Sequence, residues 1–417
     1  MPEPTRGRVL FMSGSAGLGH VTRDVAIARE IRSLHPGADI SWLASSPARE
    51  YLREAGERLL PETEAWADLT GAAEAMASAG HFNITKWALK ARHVWAGNAR
   101  LYFGIMASGD FDTAIGDETY ELPFALVRNA GLPRYPLLVL YDFIGLDRAT
   151  WSLQELMGNY AFNRLWSKCL PAVGFTPVLL GEAEDIPDSR FGPFLPNRRA
   201  FARANVPAVG YAIQFDPAEY MDPQKLKSEL GHGAGPLVAC TVGGTAIGKE
   251  LLELCARAYP RLRSAKPDLQ MALFCGPRVA PGSLQVPDGI QVRGYVSDLY
   301  RHLAASDVVV TQAGGTTTLE LTALRRPFLY FPLQEHSEQM RAVTERLRRH
   351  GVGEPMVAAH TTPQRLAERV LALIGAPVRY GEIPLTGAHE AADIAVRMLH
   401  HALRSPEQAA ERMASPV

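Results

Sequence analysis

The feature that most restricts how this chain can fold is a recurring unit: a short run of apolar, often β-branched residues, then glycines, then a helical stripe. Its first occurrence is the clearest. Val9 to Met12 reads as a strand, Ser13 to His20 as a glycine-rich turn, and Val25, Ile27, Ala28, Ile31 and Leu34 as one helix face. A strand that is apolar without alternation must be covered on both faces, and helices returning after each strand do this in a parallel sheet. Further strands are expected at Ile40–Ala44, Thr113–Ile115, Pro136–Tyr141 and Pro177–Leu180. A second series follows at Leu237–Val242, Gln270–Cys275, Ile290–Arg293, Asp307–Thr311 and Phe328–Phe331, with helices from Lys249 and around Leu319.

Two such series fit the length. A chain of 417 residues exceeds one ordinary core and suits two domains of about 200 residues each. The segment from Glu182 to Pro236 is rich in Pro, Gly and charge, the composition of a connection. The expected division is an acceptor-binding domain over 1–205, a linker over 206–235 and a nucleotide-binding domain over 236–388. A final helix within 389–417 is expected to pack back towards the first domain. A net charge of -1 gives no bulk basicity, so nucleic acid is not an expected partner. Cys169, Cys240, Cys255 and Cys275 show no CxxC pairing and read as reduced core thiols. The N-terminus lacks the long apolar region of a secretion signal, and Pro136–Leu146 is too short to span a bilayer. A cytoplasmic protein is expected, with peripheral membrane contact left open.

Three glycine loops lie between a strand and a helix, where backbone N–H groups and the helix dipole favour an anion. In the first, Gly14, Gly17 and Gly19 give GxxGxG, not the dinucleotide fingerprint GxGxxG, and His20 follows. A tight turn alone would also explain these glycines. In the second, Gly243–Glu250 approaches a phosphate-binding P-loop, but Glu250 stands where Ser or Thr must meet magnesium, which disfavours an NTPase. Gly243, Gly244 and Thr245 can still donate to a pyrophosphate, whereas Lys249 reads as a solvated helix position. The third, Thr311–Gln339, places Gly314, Gly315, Thr316 and Thr317 at a helix start with Glu320 close behind. A carboxylate there can simply compensate the dipole. A second polar cluster after the next strand (Glu335, His336, Glu338, Gln339) argues instead for a ligand at one sheet edge.

That third segment resembles the donor-binding signature of GT-B glycosyltransferases, the UDP-glycosyltransferase/MurG-like family. Gly314, Thr317, Glu320, Pro327, Pro332 and the Glu338–Gln339 pair fall in the family order, and the loop ending Gly19–His20 is similar to the family's acceptor-side loop. The resemblance implies an α/β fold of two Rossmann-like, doubly wound domains facing a central cleft. It implies that Glu320 binds ribose hydroxyls, that Gly314, Gly315 and Thr316 hold phosphate, and that Gln339, with Glu338, binds the sugar. Tyr295 and Val296, in Gly294–Asp298, match the place where the family binds the base through backbone groups. Three departures stand out: Gln312 where many members have a phosphate-binding His, Arg325 for a common Gly, and Ala342 for a common Asn.

The expected reaction is an inverting transfer from a UDP- or dTDP-sugar, used as co-substrate with no further cofactor and no metal. The acceptor would offer a hydroxyl or amine and be a small or lipid-linked molecule. His20 is the candidate base, its pKa class suiting neutral pH, although it could instead cap its helix. Asp117 is the family-like orienting acid and Asp142 the reserve. Helix starts at Thr245 and Thr316 would stabilise the leaving diphosphate. Asp110–Phe111–Asp112 forms a DxD triplet, but in the half without the donor signature. The aromatic stretch from Trp66 to Phe103 is either an acceptor pocket or core. If it is core, a nucleotide-sugar epimerase, a hydrolase or a non-catalytic binding protein would remain open.

Overall fold

The structure is a computed structural model that describes residues 6–14, 18–67, 84–147, 153–168, 174–243, 248–333 and 342–404. The chain divides into two compact units, one formed by residues before 215 and after 383, the other by residues 215–383. In the first unit five strands, β1 (Gly7–Met12), β2 (Ala38–Leu43), β3 (Thr113–Asp117), β4 (Leu137–Tyr141) and β5 (Thr176–Leu179), form a sheet in the order β2-β1-β3-β4-β5. Every neighbouring pair is parallel. The chain leaves β1 towards one edge and returns to its other side at β3, so the strand order reverses between β1 and β3. Ligand sites in open parallel sheets lie outside the strands' carboxyl ends at such a point.

The helix Leu18–Leu34 covers this sheet with Val21, Val25, Ala28 and Ile31, as its period requires. Leu34, read as part of the stripe, is 38% exposed. The same helix also buries Thr22, Arg23 and Asp24, which no apolar period foresees. The chain's last described helix, Gly387–Arg404, packs along it. Gly7 permits that packing, since a Cβ there would lie 2.5 Å from Leu399 Cδ2.

In the second unit six parallel strands, β6 (Leu237–Thr241), β7 (Gln270–Phe274), β8 (Ile290–Arg293), β9 (Val308–Gln312), β10 (Phe328–Phe331) and β11 (Glu354–Pro355), run in the order β11-β10-β9-β6-β7-β8. Its reversal falls between β6 and β9. Alternate residues feed two cores, Val238, Cys240 and Val310 on one face and Leu237, Ala239 and Val309 on the other. Cys240, Cys255 and Cys275 are free and buried, while Cys169 lies outside the described residues.

Three readings change. Glu182–Pro236 is not a plain connection: it carries helices Arg198–Asn205 and Pro223–Glu229, and the units divide between Gln214 and Phe215. Trp66 and Tyr102 belong to the first unit's core, with the partly buried Trp95 and Phe103 packed against it, so among the described residues these aromatics serve the core. The helix placed near Leu319 begins earlier, at Gly315.

Arg325 occupies a backbone position that suits glycine. It follows the helix Gly315–Ala323 with φ 53°. Arg326 N–H donates to Leu321 O and Arg325 N–H to Thr322 O, the pair of bonds that closes a helix through a left-handed residue. A side chain in that conformation costs about 1–2 kcal/mol, partly offset by glycine's greater chain entropy. Arg325→Gly should therefore raise unfolding free energy by about 0.5–1 kcal/mol, read from the urea midpoint at unchanged slope.

Candidate active site

The reversal point of the first sheet holds a linked set of ionisable side chains. His20 is the third residue of its helix rather than a loop residue, and Asp117 ends β3 rather than following it. His20 Nδ1 lies 2.7 Å from Asp117 Oδ2. Arg23, one turn further along the helix, donates from Nη2 to Asp117 Oδ1 at 2.6 Å and from Nη1 to Asp142 Oδ1, just beyond β4. Asp142 Oδ2 stands 4.0 Å from His20 Nε2. Thus Asp117, not the reserve Asp142, meets the imidazole's inner nitrogen. Asp117 is fully buried, and His20 and Asp142 are 14% and 24% exposed.

These contacts settle the proton positions. Burial alone would favour a neutral Asp117, but Arg23 and His20 hold its carboxyl down at about 2, so it is ionised. An ionised carboxylate only accepts, so Nδ1 carries hydrogen and Nε2 faces outward. Burial opposes a charged imidazole, yet Asp117 outweighs it and the His20 pKa is pushed up to about 10. Two further acids are shifted upward. Burial, then Asp117, raises Asp24, which accepts a 2.6 Å bond from Ser13. Burial, then Asp142, lifts Glu118 to about 8.

Gly14 has a steric reason. A Cβ there would lie 2.7 Å from Asp117 Oδ2 and 3.1 Å from His20 Nδ1, so any side chain collides with the pair. Gly19 is in the first helical turn, where its carbonyl accepts from Thr22 Oγ1 at 3.0 Å. Gly17 lies outside the described residues.

In the second unit the loops after β6 and β9 flank the other reversal point. Gly243 and Gly248 both have positive φ, 71° and 119°. A Cβ on Gly248 would fall 2.0 Å from Gln312 Nε2, so the Gln312 amide packs against the start of the helix Lys249–Ala265. Gly314 caps Gly315–Ala323 at φ −68°, ψ 133°, a conformation open to any residue, and an added Cβ would meet only Thr317 Oγ1 at 4.0 Å. Its missing side chain leaves room before N–H groups that no helical carbonyl satisfies. Glycine where neither backbone nor packing demands it suits close approach by a ligand. Gly315, Thr316 and Thr317 form that first turn, and Glu320, on the next, is 6% exposed. Arg346 braces the turn by donating to Gly315 O at 2.9 Å and Thr318 Oγ1 at 3.1 Å. Tyr295 and Val296 follow the edge strand β8, and Val296 packs against a core. Lys249 is 40% exposed and lies 3.8 Å from Glu253, a solvated helix position. Gly244, Thr245, Glu335, His336, Glu338 and Gln339 lie outside the described residues.

Comparison with known proteins now decides the family. Residues 238–398 match the glycosyltransferase family 28 C-terminal domain. An uncharacterized glycosyltransferase of Methanosarcina acetivorans is 32% identical over 388 residues, covering 88% of this chain and 89% of that protein. The chain belongs to the MurG-like GT-B glycosyltransferases. The UDP-N-acetylglucosamine–N-acetylmuramyl-(pentapeptide) pyrophosphoryl-undecaprenol N-acetylglucosamine transferase of Rhodopseudomonas palustris is 27% identical over 265 residues, 61% of this chain and 66% of that one. The glycosyltransferase SnogD from Streptomyces nogalater shares the fold, with a TM-score of 0.56 at 17% identity over 98% of this chain and 100% of its own.

The transferase uses a nucleotide-sugar donor. Sequence reasoning had found His20, Asp117 and Asp142 but missed Arg23, a basic residue one turn after a singled-out histidine. It also missed Asp24 and Glu118, for which spacing gives no signal. The DxD triplet is engaged elsewhere: Asp112 accepts from Arg8 Nη2 at 2.6 Å and from its Nε at 3.1 Å. Among the described residues, no group of three or more His, Cys, Asp or Glu is placed to hold a metal ion, and no helix is long and apolar enough to cross a membrane.

The raised His20 pKa fixes a dependence of stability on pH. A base held protonated in the folded state contributes stability that is complete below its unfolded pKa of about 6.5 and disappears as pH rises through about 10. Relative to His20→Gln, the wild type should be more stable at pH 6. That advantage should shrink steadily to pH 10, measured by urea unfolding at each pH.

Proposed function

We propose that this transferase moves a sugar, with inversion and without a metal, from a UDP- or dTDP-sugar to a hydroxyl or amine of its acceptor. The observation that carries the reading is the 2.7 Å bond between His20 Nδ1–H and buried Asp117, which leaves Nε2 as the outward nitrogen. In this reading Nε2 takes the acceptor proton as the acceptor oxygen bonds to the anomeric carbon. The bond from that carbon to the diphosphate breaks, and the electron pair leaves with the diphosphate. Asp117 holds the ring in the required tautomer and stabilises its charged form.

The donor half of the reading rests on the second unit. Gly314, Gly315, Thr316 and Thr317 would meet the diphosphate with backbone N–H groups and the helix dipole, joined by Gly243, Gly244 and Thr245. Glu320 would bind the ribose, Tyr295 and Val296 the base, and Glu338, Gln339 and His336 the sugar. Gln312 would serve that site through its contact with Gly248 rather than as a charged phosphate ligand. The Rhodopseudomonas relative, whose name carries a UDP-sugar and a pyrophosphoryl-undecaprenol, supports a UDP donor and a lipid-linked acceptor met at a membrane surface.

Two experiments test the parts separately. A panel of nucleotide-sugars should include one that raises the thermal midpoint in a concentration-dependent way. Glu320→Ala should abolish that shift, and a panel without any response overturns the donor site. With that donor, His20→Ala should slow transfer by about 10²- to 10⁴-fold. Because the active form lacks the proton, kcat/KM should keep rising with pH towards about 10 instead of levelling near 7. A plateau near neutrality, or full activity without the imidazole, removes His20 as the base.

A further inference from the structure

Arg23 is 7% exposed, carries a charge that an apolar helix face does not call for, and touches three members of the site at once. Its Nη2 lies 2.6 Å from Asp117 Oδ1 and 2.9 Å from His20 Nδ1, and its Nη1 reaches Asp142. We infer that Arg23 is the positioning residue of the base: it occupies Asp117 Oδ1, leaving Oδ2 for His20 Nδ1–H, and ties that pair to Asp142. The role as base rests on the reading above, but the hold of Arg23 on the imidazole does not.

The geometry gives the guanidinium two effects. Its planar fork spans the ends of β3 and β4, so the two carboxylates keep a fixed spacing that a point charge could not impose. Asp117 can then present one oxygen to His20 and hold Nδ1–H, the tautomer that points Nε2 outward. The second effect is electrostatic. With Nδ1–H already given to Asp117, the 2.9 Å approach of Nη2 is not a hydrogen bond but a cation set against the ring. It penalises the imidazolium, so the base gives up its proton more readily than Asp117 alone would allow. A carboxylate without this neighbour would orient the ring and also trap its proton.

The other charges around the pair are accounted for. Asp24 lies on the same helix, Asp117 and Glu118 at the end of β3, and Asp142 beyond β4. The C-terminal helix that packs alongside pairs His389 with Glu30 and His400 with His35, both about two turns or more further along. Among the described residues, Arg23 is thus the cation that opposes the acids at His20. Its burial against them also explains why a helix otherwise stabilised by Val21, Val25 and Ile31 tolerates it.

The test compares wild type, Arg23→Gln and Arg23→Lys as full chains. The His20 ring is titrated by NMR, and transfer kinetics are measured with the donor identified by thermal shift. Removing the cation should move the His20 midpoint upward by about one unit. It should lower kcat by about 10²-fold while donor KM stays within about two-fold. Lysine keeps the charge without the fork, so its midpoint should stay within about half a unit of wild type, with kcat about 10-fold low. An unchanged or lowered midpoint in the glutamine variant overturns the inference. If the glutamine variant does not fold, wild-type kcat in the lysine variant overturns it equally. Should His20→Ala transfer normally, the base reading fails while the titration still reports whether Arg23 governs the imidazole.

Discussion

The first unit is organised around a charge balance at the end of its sheet. Arg23 and His20 face Asp117 and Asp142 with most of these side chains withdrawn from water. Two cations against two anions is an arrangement that burial tolerates; removing one member would leave a desolvated charge unmatched. The surrounding structure follows from keeping the four in place. β1 and β3 run side by side so that Gly14 and Asp117 are neighbours. Gly14 has no side chain to part the histidine from its acid, and Ser13 satisfies one oxygen of Asp24 beneath the helix. The C-terminal helix packs against the helix that carries His20 and Arg23 and also against β1 and β3, with Leu399 filling the space that Gly7 leaves.

The second unit solves a different problem with little charge. Its reversal point is lined by helix starts and glycines, and those glycines are not equivalent. Gly248 is required by its own backbone and by Gln312, whereas Gly314 is required by neither. The first secures the loop, and the second leaves backbone N–H groups approachable. Dipoles fixed by the fold can face an anion without the desolvation cost of a buried cation. In this light the exchange of a histidine for Gln312 is less drastic than it looks in the sequence. The amide packs against Gly248 at the start of the helix Lys249–Ala265, and in the proposed reading the neighbouring helix starts supply the polarity.

Much of this was legible before any coordinates. Apolar runs without alternation marked parallel strands, and the position of most strands followed to within a residue or two. The order of Gly314, Thr317 and Glu320 carried the family. What escaped had physical causes. The aromatic stretch around Trp66 and Tyr102 looked like a pocket because aromatics suit both pockets and cores, and only their mutual packing separates the two. The composition of Glu182–Pro236 resembled a linker because short helices joined by tight turns share its Pro, Gly and charge. Arg23 was overlooked because burial of a charge depends on partners about 100 residues away in the chain.

By itself the sequence determined the two parallel αβ units, the glycine loops between strand and helix and the histidine proposed here as the base. These depend on local patterning, on periods of two and 3.6 residues and on glycine's freedom, which neighbouring residues alone express. Tertiary structure alone decided which acid meets His20, which tautomer the ring takes, how high its pKa stands and that a guanidinium stands beside it. Those properties are set by electrostatics across the ends of separate strands, where distance in space rather than distance along the chain fixes the energy.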